Sequence, residues 1–400
     1  MTPEEARLSF PGLGDKVFLD AAALSLTPVQ ARDAIQSFLD LAVGGDAEDA
    51  SQLHIAMDRL RERPIAEAAK LLNAPSRNIA LVESTTHGLN VAASALPLGP
   101  GDNVLVADTE FLQVAIPWAT MHESAGVEIK PVASHDGGVL TPEDFEAAMD
   151  GRTRAVCVSS VQWCSGYRMH IDGIAEMCSE RGIWLVVDAI QEMGALEMDL
   201  SAPYGDFVMA GGHKWLNAPF GCGIMFVSDR ALEELEPASF GYLALDAPAA
   251  GWGEYFRTPE ISPYREFRFP QEAKRFEIAG TSNYPGAAGL GASLALVNEV
   301  GIANVERHIR RLTDLLHAEL DELGAKLVSK REPANRSGIT VFRLHDDPAE
   351  DLRVLNAILA EKILISIRYT SGVGGVRVST HYYNSEEDVL RLCEALRRNR

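Results

Sequence analysis

The chain has 400 residues, 46% hydrophobic and 23% charged, with a formal net charge of −21; that length buries a sizeable core, and the composition excludes a disordered, collagen-like or coiled-coil protein. A negative field repels phosphate backbones and anionic lipid, so no nucleic acid and no membrane is expected as a partner. The five cysteines, Cys157, Cys164, Cys178, Cys222 and Cys393, are too scattered for a disulfide framework or a paired CxxC zinc site.

The chain opens MTPEEARLSFPGLGDK, with no basic stretch leading into an apolar one, and nowhere approaches 18 uninterrupted apolar residues; a cytoplasmic location is the expectation. Short β-rich runs then alternate with helical patterns: NIALVE (78–83), NVLVAD (103–108), VEIKPV (127–132), RAVCVSS (154–160), IWLVVD (183–188), DFVMAG (206–211) and GIMFVSD (223–229). Apolar runs without strict alternation predict strands covered on both faces, hence an α/β domain with a mainly parallel, seven-stranded, doubly wound sheet.

A Pro- and aromatic-rich segment, 236–275, precedes one long helical pattern from Gly286 to Gly324. Strand-like SGITVFRL, a helix near 349–362, the strand VRVSTHYY and an amphipathic helix from Ser385 follow. This change of grain predicts a smaller α+β domain. The expected division is 1–30 as an N-terminal segment packing on the small domain, 31–289 as the large domain and 290–400 as the small one.

Four stretches carry candidate chemistry. ESTTHGLN (83–90) is a hydroxyl-rich turn before a helix expected near Gly88; its N–H groups and the Thr85 and Thr86 hydroxyls suit a phosphate, or merely cap the helix. Asp188 ends an apolar strand at the sheet edge where ligands bind, with Gln191 three residues on; it reads as a helix cap or as the partner of a cationic ligand group. In GGHKWL, Lys214 lies between two apolar strands. A buried ammonium needs a partner or a lowered pKa, and a Schiff base with an aldehyde cofactor is one resolution; a surface-turn lysine is the other. RFEIAGTSNYPG (275–286) brings Gly280 and Thr281 before an apolar helix, and Arg377 stands in a predicted strand, where its fork suits a carboxylate.

In combination, Thr-Thr-x-Gly, Asp-x-x-Gln after a strand, His-Lys about 25 residues later, Phe-Glu-x-x-Gly-Thr-x-Asn and a late arginine resemble the class V aminotransferase family of fold type I pyridoxal phosphate enzymes, over nearly the whole chain. The resemblance implies that Lys214 carries pyridoxal 5′-phosphate (PLP) and that Asp188 pairs with the pyridine nitrogen, keeping the ring an electron sink. It further implies that Gln191 donates to the ring phenolic oxygen, that Thr85, Thr86 and His213 hold the phosphate, and that Arg377 grips a substrate carboxylate. Gly280 and Thr281 would reach the phosphate, Thr281 that of a neighbouring subunit, which implies a homodimer.

Departures from the family pattern narrow the chemistry. Where cysteine desulfurases stack a histidine on the cofactor, EFLQVAIPW places Phe111; where an asparagine is expected near the ring oxygen, SSVQWCSGYR places Trp163, as cofactor contact or as plain core. Where desulfurases have a flexible loop with a nucleophilic cysteine, this chain reads IRYTSGVGG, without one. These differences resemble the isopenicillin N epimerase-like and carbon-sulfur lyase branches. The expected function is a PLP enzyme acting at the α carbon of an amino acid or conjugate, of carbon-sulfur β-lyase type, with oxidative decarboxylating deamination, transamination or epimerisation as alternatives on the same fold. A non-catalytic scaffold is disfavoured by Asp188, Gln191, His213 and Lys214 occurring together. A nicotinamide enzyme is disfavoured because GLGASL at 289–294 lacks the last glycine and follows no strand.

Overall fold

The computed structural model describes all residues except 136, 250, 265 and 278–281. The seven apolar runs form the central sheet: β1 (Ile79–Val82), β2 (Asn103–Ala107), β3 (Glu128–Val132), β4 (Thr153–Ser159), β5 (Trp184–Asp188), β6 (Phe207–Gly211) and β7 (Gly223–Val227). Their spatial order is β1-β7-β6-β5-β4-β2-β3, and only β7 runs antiparallel to its neighbours. Strands β2 and β4 to β7 are buried almost throughout, as expected of a sheet covered on both faces. Edge strand β3 alternates less cleanly and carries exposed Glu128 and Pro131.

The helical pattern from Gly286 to Gly324 is two helices, Tyr284–Val300 and Ile302–Glu322, bent by 76° at Gly301. The first is buried on nearly every face and packs against helices Val29–Gly44 and Glu62–Leu71 beside the sheet. The second lays one apolar stripe, including Ile309, Leu312, Leu316 and Leu320, on a four-stranded antiparallel sheet. That sheet contains β8 (Lys326–Leu327), β9 (Ile339–Arg343), β10 (Ser366–Thr370) and β11 (Val373–Ser379), in the order β10-β11-β9-β8. Helices Pro348–Ala360 and Glu386–Asn399 complete the layer, the latter with a capping box in which Ser385 accepts from the Asp388 N–H.

The N-terminal residues cross to this unit. Val17 and Phe18 pair in parallel with Ile363 and Leu364, and Leu19 O accepts from Ser379 N (2.8 Å). Residues 19–26 then run across the mouth of the large sheet. Among the described residues no single helix is long and apolar enough to cross a membrane.

Candidate active site

Strands β4, β5 and β6 end together, and their carboxyl ends face the strap formed by residues 19–26. Between them lies a cavity of ≈ 340 Å³ lined by Lys214, Asp188, Gln191, His213, Arg368 and Arg377, among others. This is the edge at which open parallel sheets place ligands. Thr85, Thr86, Phe111 and Trp163 also line it, so every expected site residue within the described part of the chain comes to one place. Gly280 and Thr281 lie outside the described residues.

The helix expected near Gly88 starts at Thr85, and its cap is Ser84, whose Oγ accepts from the His87 N–H (3.1 Å). Thr85 serves the sheet: its Oγ1 accepts from Gly211 N at 2.8 Å, tying the helix to the end of β6. The Thr85 hydroxyl proton remains to be donated. The Thr85 and Thr86 N–H groups stand at the positive helix end, where an anion is favoured. Helix and sheet meet closely here, since a Cβ on Gly88 would come 2.9 Å from the Met209 Cβ.

Lys214 follows β6 in the turn that leads toward β7. It is partly buried, and among the described residues its amine forms no hydrogen bond or ion pair. Burial lowers its amine to about 8, Asp188 and Asp20 opposing the shift and Arg377 and Arg368 adding to it. Asp188 ends β5 and is 5% exposed. Its Oδ1 accepts from Ile190 N (2.9 Å), and burial raises the carboxyl to about 6 despite that bond and Lys214. His213 stacks on Phe220, ring centroids 4.7 Å apart, and burial holds it neutral, at about 4.

Gln191 is oriented by two fixed bonds: Trp215 Nε1 donates to its Oε1 (2.9 Å), and its Nε2 donates to the Ala22 carbonyl (3.0 Å). One Nε2 proton is left. Phe111 is 41% exposed and meets Trp163 edge-on, centroids 5.3 Å apart. Trp163 Nε1 is buried without a partner.

Two acidic residues escaped the sequence reading. Glu110, next to Phe111, is buried; it accepts from Ser159 N (2.8 Å), Ser159 Oγ and Gln162 Nε2 (2.9 Å). Burial outweighs these bonds and raises its carboxyl to about 7. Asp20, on the strap, accepts from Arg377 Nη2 (3.1 Å) and Ser366 Oγ (3.0 Å). Arg377 is 1% exposed and its Nη1 also donates to the Trp163 carbonyl (3.2 Å). Arg368 is the third addition, a guanidinium on β10 that lines the same cavity.

The stretch expected as a loop between Arg368 and Arg377 is a tight hairpin. Thr370 pairs with Val373 across Ser371 and Gly372, both at positive φ (49° and 76°), as a two-residue type I′ connection requires. The turn is pinned by Ser371 Oγ donating to Asp108 O (2.6 Å). All five cysteines are free and buried. Burial pushes the Cys164, Cys178, Cys222 and Cys393 thiols up to about 12 and Cys157 well above its ordinary value, and among the described residues none lines the cavity.

An amine without a partner, a buried carboxylate at a strand end, a neutral histidine and a helix N-terminus around one cavity fit pyridoxal phosphate group by group. The unpartnered Trp163 Nε1 in the wall is further polar capacity that the protein alone leaves unused. Fold and site define a pyridoxal phosphate-dependent enzyme of fold type I. The chain belongs to the class-V aminotransferase family, whose model matches residues 17–392.

Curated relatives include a probable cysteine desulfurase of Methanothermobacter thermautotrophicus, 30% identical over 99% of this chain and 98% of its own length. Another from Pyrococcus abyssi is 26% identical over 97% and 95%. Among solved structures, the apo cysteine desulfurase of Thermococcus onnurineus NA1 superposes with a TM-score of 0.83 at 23% identity, covering 98% of this chain and 97% of the other. The cystine C-S lyase C-DES, in complex with its product cysteine persulfide, gives 0.85 at 21%, covering 97% and 98%.

Proposed function

We propose that the protein is a carbon-sulfur β-lyase that cleaves an S-substituted cysteine-type amino acid to thiol, pyruvate and ammonia, with one water consumed. The observation that carries this reading is the pairing of an unpartnered Lys214 with a cavity that no cysteine lines. The relatives named desulfurases support carbon-sulfur chemistry; the buried thiols argue against a cysteine nucleophile here.

Bound pyridoxal phosphate supplies a covalent handle for the substrate amine and an electron sink for the α carbon. In this reading Lys214 holds the cofactor, and its amine, once released, takes the α proton and returns it to the departing sulfur. Asp188 faces the ring nitrogen as its charge partner, and Gln191 gives its remaining N–H to the ring oxygen. Thr85, Thr86 and neutral His213 donate to the phosphate, with Gly280 and Thr281 proposed beside them. Phe111 and Trp163 wall the ring. Arg377 has five N–H groups; with one given to Asp20, one to Trp163 O and Nε buried, one on each terminal nitrogen remains, a matched pair for the α-carboxylate.

We also propose a cytoplasmic homodimer. Five free thiols suit a reducing compartment, and Phe240, Phe256 and Tyr264 in the 236–275 segment are large exposed apolar side chains of the kind a second copy would cover. The deciding experiment incubates the holoenzyme with S-substituted cysteines and scores thiol, pyruvate, ammonia, alanine and carbon dioxide separately. Equimolar thiol and pyruvate are expected; alanine with enzyme-bound sulfur, or carbon dioxide release, overturns the lyase reading.

A further inference from the structure

We infer that Glu110 is a positioning residue of the cofactor site: its carboxyl holds a proton on Oε2, donates it in a hydrogen bond to Ser159 Oγ, and so leaves the Ser159 hydroxyl as a donor toward the cavity. This rests on the proposed placement of the cofactor against Asp188.

The hydrogen bonds fix which oxygen carries the proton. Glu110 Oε1 accepts twice, from Ser159 N (2.8 Å) and from Gln162 Nε2 (2.9 Å). The Gln162 amide is itself held in this orientation, since its Oε1 accepts from Thr109 Oγ1 (3.1 Å). Glu110 Oε2 meets only Ser159 Oγ among the described residues. A proton on the carboxyl therefore sits on Oε2, and the serine oxygen is its acceptor. A hydroxyl that accepts there keeps its own proton free to donate elsewhere. Ser159 lines the cavity and is the register partner of Asp188 on the neighbouring strand, so the free proton is offered at the level of that carboxylate.

The surroundings favour the protonated acid. Glu110 is 7% exposed, and among the described residues it joins no ion pair. Asp188 on β5 repels its charge; Cys157 on β4 and Cys164 just beyond also feel that charge, and burial keeps both thiols neutral. Burial is the largest influence on Glu110 and places its carboxyl at about 7. Once Asp188 is ionised against a ring nitrogen, a second buried carboxylate nearby would be repelled, and a neutral Glu110 removes that conflict. Two buried acids thus take opposite protonation states, with Ser159 between them in the network.

The test titrates pyridoxal phosphate into the apoenzyme at about pH 6 and about pH 8.5, on either side of the Glu110 value. Wild type is compared with E110Q, whose amide donates to Ser159 Oγ at any pH, with S159A and with the double variant. Lys214, Asp188 and His213 titrate in wild type and E110Q alike, so the ratio of the two affinities isolates Glu110. Equal affinities are expected at the lower pH. At the higher pH the ionised carboxylate draws the serine proton back, and the wild type should bind about tenfold more weakly than E110Q. With Ser159 replaced by Ala, exchanging Glu110 for Gln should change nothing at either pH. Wild type and E110Q binding alike at both pH values overturns the proposal. So does an E110Q advantage that persists in S159A, which would mean that Glu110 acts by its charge alone. Infrared spectra of wild-type apoenzyme with isotope-labelled glutamate carboxyl groups need no variant: a protonated-carboxyl band that fades as pH rises through about 7 is expected, and its absence overturns the proposal. Should Asp188→Ala leave cofactor affinity unchanged, the placement of the cofactor fails by itself, while the infrared band and the dependence on Ser159 still decide the role of Glu110.

Discussion

Asp20 and Arg377, 357 positions apart in sequence, meet at 3.1 Å, the arginine lining the active-site cavity. The strap that delivers Asp20 therefore acts on the same guanidinium that we assign to the substrate. Removing one partner of a buried pair leaves the other uncompensated and costs about 3–5 kcal/mol. Asp20→Ala should approach that loss in denaturant titration, moderated because Asp20 is itself partly exposed, and Asp20→Asn, which keeps an acceptor, should lose clearly less. Equal stability of both variants with the wild type would show that the pair contributes nothing.

Attachment of the cofactor aldehyde needs the neutral Lys214 amine. With its pKa lowered to about 8, the amine is protonated below that pH, so the rate of holoenzyme formation from apoenzyme should climb through pH 8 and level off above it. Asp188 stabilises the charged amine, so Asp188→Asn should move the midpoint to lower pH. Rapid-mixing absorbance from pH 6 to 10 reads both, and a flat profile contradicts the lowered pKa.

Lys214→Ala should abolish covalent attachment, with borohydride reduction and peptide mapping finding the label on Lys214 in the wild type. Asp188→Ala should slow turnover by about a thousandfold, roughly 4 kcal/mol of barrier. Single Cys→Ala changes at the five buried thiols should stay within about tenfold, about 1.4 kcal/mol. A cysteine variant that binds substrate normally yet stalls as Lys214→Ala does would identify a thiol nucleophile.

Glu110 offers a test of stability against pH. Its pKa rises on folding from 4.5 to about 7, so between those values the folded state holds a proton that the unfolded state has lost. Stability then falls as pH rises through this window and stays reduced above it. Gln matches the protonated carboxyl in shape and in its capacity to donate to Ser159 Oγ. Glu110→Gln should therefore gain stability relative to wild type from pH 4.5 to 7, by up to about 3 kcal/mol. A difference independent of pH would mean that Glu110 titrates normally.

The seven strands of the large sheet are legible in sequence because each is a short apolar run buried on both faces, a pattern set by local composition alone. Lys214, Asp188 and Gln191 are legible as cavity residues because Asp188 ends such a run and the other two lie three residues beyond one, where strand ends open onto ligand sites. Asp20 is not, since its partner is 357 positions away and nothing near it marks a polar residue for burial. Glu110 stands in a loop without periodicity, so no local pattern marks it for burial. Two further features do carry local signals: the Ser371-Gly372 pair, a dipeptide common in turns, and Gly301, placed where a helix ends. Apolar periodicity continues through Gly301 because both helices bury a stripe, so the pattern alone does not register the bend.

The strap has a consequence for how the molecule is made. Val17 and Phe18 pair with Ile363 and Leu364, and the Ala22 N–H finds Ser379 Oγ at 2.9 Å. During synthesis residues 17–22 thus wait for partners at 363–379. The large sheet, complete by residue 227, can fold while its ligand edge is still uncovered. A nascent chain stalled before residue 360 would present Lys214 to solvent, open to any aldehyde. Pairing with residues 363–379 is what seats the strap across that edge.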